Sequence, residues 1–150
     1  MNQAWMERID RQREALALIL RDPLERITHG CIPIWQERRL LENIFLVSLS
    51  RIPYCTSLYA LDTDGIQITE TIDRDGLHPG CLDRNHSQRP YMRNTVPAWG
   101  FLLSDAYTSL QLHRPSLTAL QIVRTSDAVL GYIGADFDLD DLPFTSEPDV

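Results

Sequence analysis

At 150 residues with 43% hydrophobic content, the chain is long enough to bury one core and too short for two. Its formal charge of −7, from 14 basic and 21 acidic residues, repels a phosphate backbone and speaks against nucleic-acid binding. Three widely spaced cysteines, Cys31, Cys55 and Cys81, give no disulfide framework and suit a reducing, cytoplasmic setting. No apolar run approaches the roughly 20 residues that cross a bilayer, and Glu7, Arg8, Asp10 and Arg11 interrupt any leader-like N-terminus.

Residues 3–21 read as a helix, with Trp5, Ile9, Leu16, Ile19 and Leu20 at roughly helical spacing, and Pro23 is expected to stop it. After the Thr28-His29-Gly30 breaker, Pro33 opens a second helix reaching about residue 50, whose stripe is Leu41, Ile44, Phe45 and Leu49. From Ser57 the period changes to two. Residues 57–61 lead into the turn Asp62-Thr63-Asp64-Gly65, after which Ile66, Ile68 and Ile72 alternate with Gln67, Thr69 and Thr71, the pattern of a hairpin. Residues 73–98 lack clean periodicity and hold Pro79, Pro90 and Pro97; so long a stretch in a compact domain is functional or partly structured. Strands follow at 101–110, 117–125 and 129–137, joined by connections short enough for antiparallel hairpins. Helices first and strands afterwards describe a single α+β domain over 1–150. Residues 1–50 form long N-terminal helices, 57–142 a five-stranded antiparallel sheet with its loop, and 143–150 a polar tail.

Four residues laid over this plan could hold a small polar molecule: Arg89, Tyr91, Tyr107 and Asp136. The planar fork of Arg89 matches a carboxylate, and Tyr91 can give a hydroxyl to the same group. Asp136 stands in a strand otherwise built of Gly131, Ile133, Gly134 and Ala135, where an acid calls for a cation such as an ammonium. Tyr107 can close the pocket with its ring, and Gly134 removes a side chain where a ligand would approach. The plainer reading is an Arg89–Asp136 ion pair pinning the loop to the sheet, with two ordinary core tyrosines.

Other chemistries fit less well. His78, Cys81 and His86 lie close in sequence but lack a metal-finger spacing and a fourth ligand. Asp136, Asp138, Asp140 and Glu147 match the acidic positions of a calcium loop, yet Asp141 stands where its glycine belongs and Pro143 lies inside it. Ser104, Asp105 and His113 are the ingredients of a nucleophilic triad without its glycine elbow. No metal, no cofactor and no enzymatic activity are therefore expected.

Four segments, in order, resemble the Cache family of PAS-like sensor domains, also called PDC sensors. Leu58-Tyr59-Ala60-Leu61-Asp62-Thr63-Asp64-Gly65 is similar to the family's first strand and turn, and Arg89-Pro90-Tyr91 to its Arg-x-Tyr loop signature. Ser104-Asp105-Ala106-Tyr107 is similar to its Ser-x-x-Tyr strand, and Gly131 to Leu139 to the closing strand that carries an aspartate. The resemblance implies a PAS-like sheet behind a long helix and a signal-transduction role. It also implies a small-molecule ligand (a carboxylate, an amine or an amino acid-like metabolite) bound by Arg89, Tyr91, Tyr107 and Asp136 between residues 73–98 and the sheet. Arg84 and Met92 stand where amino-acid-binding members carry further aromatics. Family members usually carry membrane spans and an output domain; a freestanding domain would pass its signal to a separate output protein, with a homodimer through the N-terminal helix. The alternative is a dimerisation or scaffold module that has lost its ligand.

Overall fold

The computed structural model describes residues 3–89, 92, 100–104, 107, 108 and 115–142, with positions 3–6, 8, 9, 107 and 108 described through the backbone alone. Two helices, α1 (Gln3–Cys31) and α2 (Arg38–Ser48), precede an antiparallel sheet. Its strands are β1 (Cys55–Leu61), β2 (Thr71–Asp73), β3 (Gly76–His78), β4 (Phe101–Leu103), β5 (Tyr107–Thr108), β6 (Pro115–Arg124) and β7 (Val129–Asp138). They lie in the order β3-β2-β1-β7-β6-β4, with β5 also paired to β6.

The expected α+β plan of helices followed by an antiparallel sheet is what the chain adopts, with seven strands among the described residues where the period-two pattern suggested five. The added strands are short. Where one strand was expected over 101–110, Phe101–Leu103 form β4 and Tyr107–Thr108 form β5, and β2 turns back into β3 through Asp73↔Gly76 pairing.

Pro23 does not stop the first helix. Leu16, Leu20, Leu24, Ile27 and Cys31 recur at intervals of three and four and are all buried, so one apolar stripe runs straight past the proline. Pro23 removes the donor for the Ile19 carbonyl, but Ile19 is partly exposed and water can take that place. Thr28 also fits the helix, its Oγ1 donating to the Leu24 carbonyl at 2.8 Å. The second helix starts later than Pro33 suggested: Ile32–Ile34 form one 3-10 turn, and Glu37, at φ −101° and ψ 87°, interrupts the backbone before Arg38.

Alternation gives the sheet two faces. Leu58 and Ala60 of β1, Leu117, Ala119 and Val123 of β6, and Ile133, Ala135 and Phe137 of β7 face the helices. They form one core with Leu16, Leu20, Leu24, Leu41 and Phe45. Tyr59, Leu61 and Leu120 form a separate cluster with Tyr132 and Met92 on the other face. Among the described residues no helix is long and apolar enough to cross a membrane.

Candidate functional site

The face of the sheet away from the helices carries the polar centre. Ser57 of β1 and Thr118 of β6 are both register partners of Asp136 on β7, so three polar side chains stand in one row across three strands. A bulge between Cys55 and Ser57 sets that alignment, and Thr56 Oγ1 donates to the Asp136 carbonyl at 3.0 Å. In the next row Gly134 of β7 pairs with Tyr59 on one side and Leu120 on the other.

Three hydroxyls converge on the Asp136 carboxylate. Thr118 Oγ1 donates to Oδ1 at 2.7 Å, Tyr59 OH to Oδ1 at 3.0 Å and Ser57 Oγ to Oδ2 at 3.0 Å. A carboxylate has about four acceptor positions, so one on Oδ2 is left over by the described residues. Burial pushes the Asp136 carboxyl above its ordinary value, while the hydroxyls of Thr118, Tyr59 and Ser57, and then the charge of Arg89, pull the other way. Asp136 as a whole residue is half-buried, its carboxyl lying among the three hydroxyls.

A segment of the 73–98 stretch covers this face. Gln67 N–H donates to the Arg84 carbonyl, Asp83 N–H to the Gln67 carbonyl and His86 N–H to the Gly65 carbonyl, at 2.8–2.9 Å. These bonds pin residues 83–86 beside the first hairpin, where Gly65 adopts φ +83° in the turn expected there. His86 stacks on Tyr59 with ring centroids 5.1 Å apart, and its Nε2 bonds Gln67 Oε1 at 2.8 Å. Gln67 spends both amide hydrogens on the Thr69 carbonyl and Thr71 Oγ1, so its oxygen accepts and His86 Nε2 carries the proton. Burial first, then Arg89 and Arg84, lower the His86 pKa to about 4, leaving a neutral ring.

Arg89 follows in the same segment, half-buried, its N–H donating to the His86 carbonyl. Its guanidinium makes no hydrogen bond or ion pair with any described residue, yet its charge reaches both Asp136 and His86. The direct Arg89–Asp136 ion pair is thus not formed; hydroxyls hold the acid instead. Tyr91 lies outside the described residues, and Tyr107 is placed through its backbone alone, on β5 opposite Ser116. Gly134 does not open room for a ligand as expected: the Tyr59 ring occupies that space.

Sequence reasoning missed Ser57, Tyr59, Thr118 and His86. Tyr59 stood in a segment already singled out, but only the bulged register shows that it meets Asp136. His78, Cys81 and His86 are not brought together. His86 is committed to Gln67, while His78 Nε2 lies 2.6 Å from Asp73 Oδ2 on the β2–β3 hairpin, where Asp75 completes an exposed cluster. Asp138 caps the following turn by accepting from Asp140 N–H at 2.9 Å, which is a structural use of the calcium-template acids. Ser104 exchanges backbone and hydroxyl bonds with Thr118; Asp105 and His113 lie outside the described residues.

A hydrogen-bonded line leads from the site to α1. Thr118 N–H donates to Ser104 Oγ at 2.9 Å and Ser104 N–H to the Thr118 carbonyl at 2.8 Å. Arg13 of α1 then donates through Nε to the Ser104 carbonyl and through Nη2 to the Leu103 carbonyl, at 2.9 and 2.7 Å.

No protein-family model matches the sequence, and no curated protein matches it. Solved structures do match it in shape. The ligand-binding domain of the Campylobacter jejuni chemoreceptor Tlp3, in complex with 4-methylisoleucine, superposes over 93% of this chain and 62% of its own, at 11% identity and TM-score 0.59. That of the Pseudomonas aeruginosa PAO1 amino acid chemoreceptor PctC, in complex with GABA, does so over 86% and 60%, at 14% identity and TM-score 0.63. The Pseudomonas fluorescens chemoreceptor CtaA domain, in complex with L-valine, matches over 85% and 53%, at 15% identity and TM-score 0.58. The chain thus spans between half and two thirds of the length of these neighbours. Two helices leading into a sheet in which the first described strand lies beside the last, with those neighbours, give this chain the fold of chemoreceptor ligand-binding domains.

Proposed function

We propose that this chain is a small-molecule sensor domain whose ligand lies between residues 73–98 and the sheet face bearing Asp136. The observation that carries the reading is the Asp136 carboxylate, aligned by three hydroxyls with an acceptor position left over by the described residues, and reached by the charge of Arg89, whose guanidinium pairs with none of the described residues. An acid held at raised pKa gains most from a ligand cation, and a guanidinium from a ligand anion. A zwitterion satisfies both, in keeping with the amino acids and GABA held by the neighbouring domains. Tyr91 and Tyr107 complete the proposed set.

The reading is binding rather than catalysis, since among the described residues the Asp136 carboxylate is tied by hydroxyls and has no second carboxylate or histidine bonded to it. Buried thiols at Cys31, Cys55 and Cys81, none in a disulfide, support a reducing cytoplasmic setting. Occupancy would bias α1, the proposed dimer element, and be read by a separate output protein. Leu16 belongs to the core, so such a dimer would rest on other positions of α1, Leu18 being 83% exposed.

Thermal-shift measurement with small carboxylates, amines and amino acids tests this. Arg89→Ala should keep the parent's unliganded melting temperature and lose stabilisation by carboxylate-bearing compounds. A parent that no compound stabilises would fit the scaffold reading instead.

A further inference from the structure

On the helix side of the molecule, remote from Asp136, α1 and α2 part to leave a groove of about 520 Å³. Its apolar lining comes from Pro23 and Ile27 of α1, Ile44 and Val47 of α2, and Ile52 beyond it. Pro23 and Gly30 add little bulk to the α1 wall, and Ile44 of α2 faces Gly30, its Cδ1 3.7 Å from where a Cβ on that glycine would stand. Val47 is 59% exposed, so the apolar wall it contributes is open to solvent.

The charge around the groove is one-sided. Arg26 and Arg51 both line it, no lining residue is acidic, and neither guanidinium makes a hydrogen bond or ion pair with any described residue. Asn43 and Ser48, also lining it, spend no side-chain hydrogen bond on the described protein. Two further cavities differ: one is lined by Glu42 and Glu70, the other by Asp73 and Asp75. A cationic, acid-free groove in a chain of net charge −7 is a local reversal of the molecule's field.

We propose that this groove is a second ligand site, taking an aliphatic chain that ends in a carboxylate. The apolar lining removes the chain from water, and Arg26 and Arg51 receive the head group with Asn43 and Ser48 as neutral partners. The volume lies within the 300–1,000 Å³ range typical of small-molecule sites. The site is independent of the one proposed around Asp136, from which the sheet and the apolar core separate it.

Octanoate, octylamine and octanol share a tail and differ in head group, so each can be titrated into the full chain and followed by backbone amide NMR shifts. Octanoate should give saturable shifts at Ile27, Ile44 and Val47 and bind more tightly than octanol, with octylamine weakest. Arg26→Gln with Arg51→Gln should weaken octanoate about tenfold, a modest loss because both arginines meet water, and leave octanol unchanged. Arg89→Gln should leave octanoate binding at the groove unchanged, which separates this site from the other. Equal binding of the three compounds, octanoate shifts confined to residues around Asp136, or an unaffected double variant would overturn the proposal. So would a dimer in sedimentation that the double variant dissociates, because the occupant would then be a second copy of the chain.

Discussion

The ring of Tyr59 lies where a Cβ on Gly134 would have to stand: Cε2, Cζ and Cδ2 of the tyrosine are the first atoms such a Cβ would meet. The two residues are register partners on β1 and β7, so the missing side chain lets the ring cross the neighbouring strand and bring its hydroxyl 3.0 Å from Asp136. Gly134→Ala should therefore displace Tyr59, strip a donor from Asp136 and destabilise the fold by about 1–3 kcal/mol. Urea unfolding measures this as a lower midpoint at unchanged slope. Tyr59→Phe keeps the ring and should cost only about 0.5–1.5 kcal/mol.

The acid itself works against stability. Because burial raises the Asp136 pKa above its ordinary 3.8, the folded chain holds that proton more tightly than the unfolded chain. Stability from this group is present below the ordinary value and is lost as pH rises through the raised one. Asp136→Asn should flatten that part of the profile and leave the ligand-free protein at neutral pH as stable as the parent or more so. Unfolding melts across the acid range check it; a strongly destabilised Asn variant would mean that the carboxylate is chiefly structural.

His86 has the opposite sign. Its pKa falls from 6.5 to about 4, first by burial and then through Arg89 and Arg84, so the unfolded chain takes up protons that the folded chain refuses. Stability from this group is complete above pH 6.5 and is lost as pH falls towards about 4. Imidazole carbon shifts followed by NMR should show His86 still neutral well below pH 6.5, with protonation only towards about pH 4.

The line from Asp136 through Thr118 and Ser104 to Arg13 gives α1 a polar tie to the site. Arg13→Met and Thr118→Val should each speed amide exchange in the first turns of α1. Their effects on stability should be non-additive by more than about 0.5 kcal/mol. Additive effects would show that the two ends of the line are uncoupled.

Much of this architecture is legible in the residues. Ser57 to Leu61 and the Asp62–Gly65 turn carry their own signals, since Asp62 Oδ1 accepts from Asp64 and Ile66 N–H, both at 2.9 Å, as a turn aspartate does. Asp136 is conspicuous as one acid among glycines and aliphatics. Pro23 misleads because local backbone cost is outweighed by burial of a stripe that only the folded core reveals. Ser57, Tyr59 and Thr118 look like ordinary strand residues. What gathers them is the register of β1 and β6 against β7, including a bulge, and no single strand records that.

The most direct test of the site is a thermal-shift panel of amino acids, primary amines and small carboxylates, run in parallel on the parent and on Asp136→Asn. The expected result is that zwitterionic or cationic compounds stabilise the parent and fail to stabilise the variant, while carboxylates lacking an ammonium act on both alike. A compound with an ammonium group that stabilises parent and variant equally, or a parent that responds to nothing in the panel, would contradict the assignment of Asp136 as the acceptor of a ligand cation.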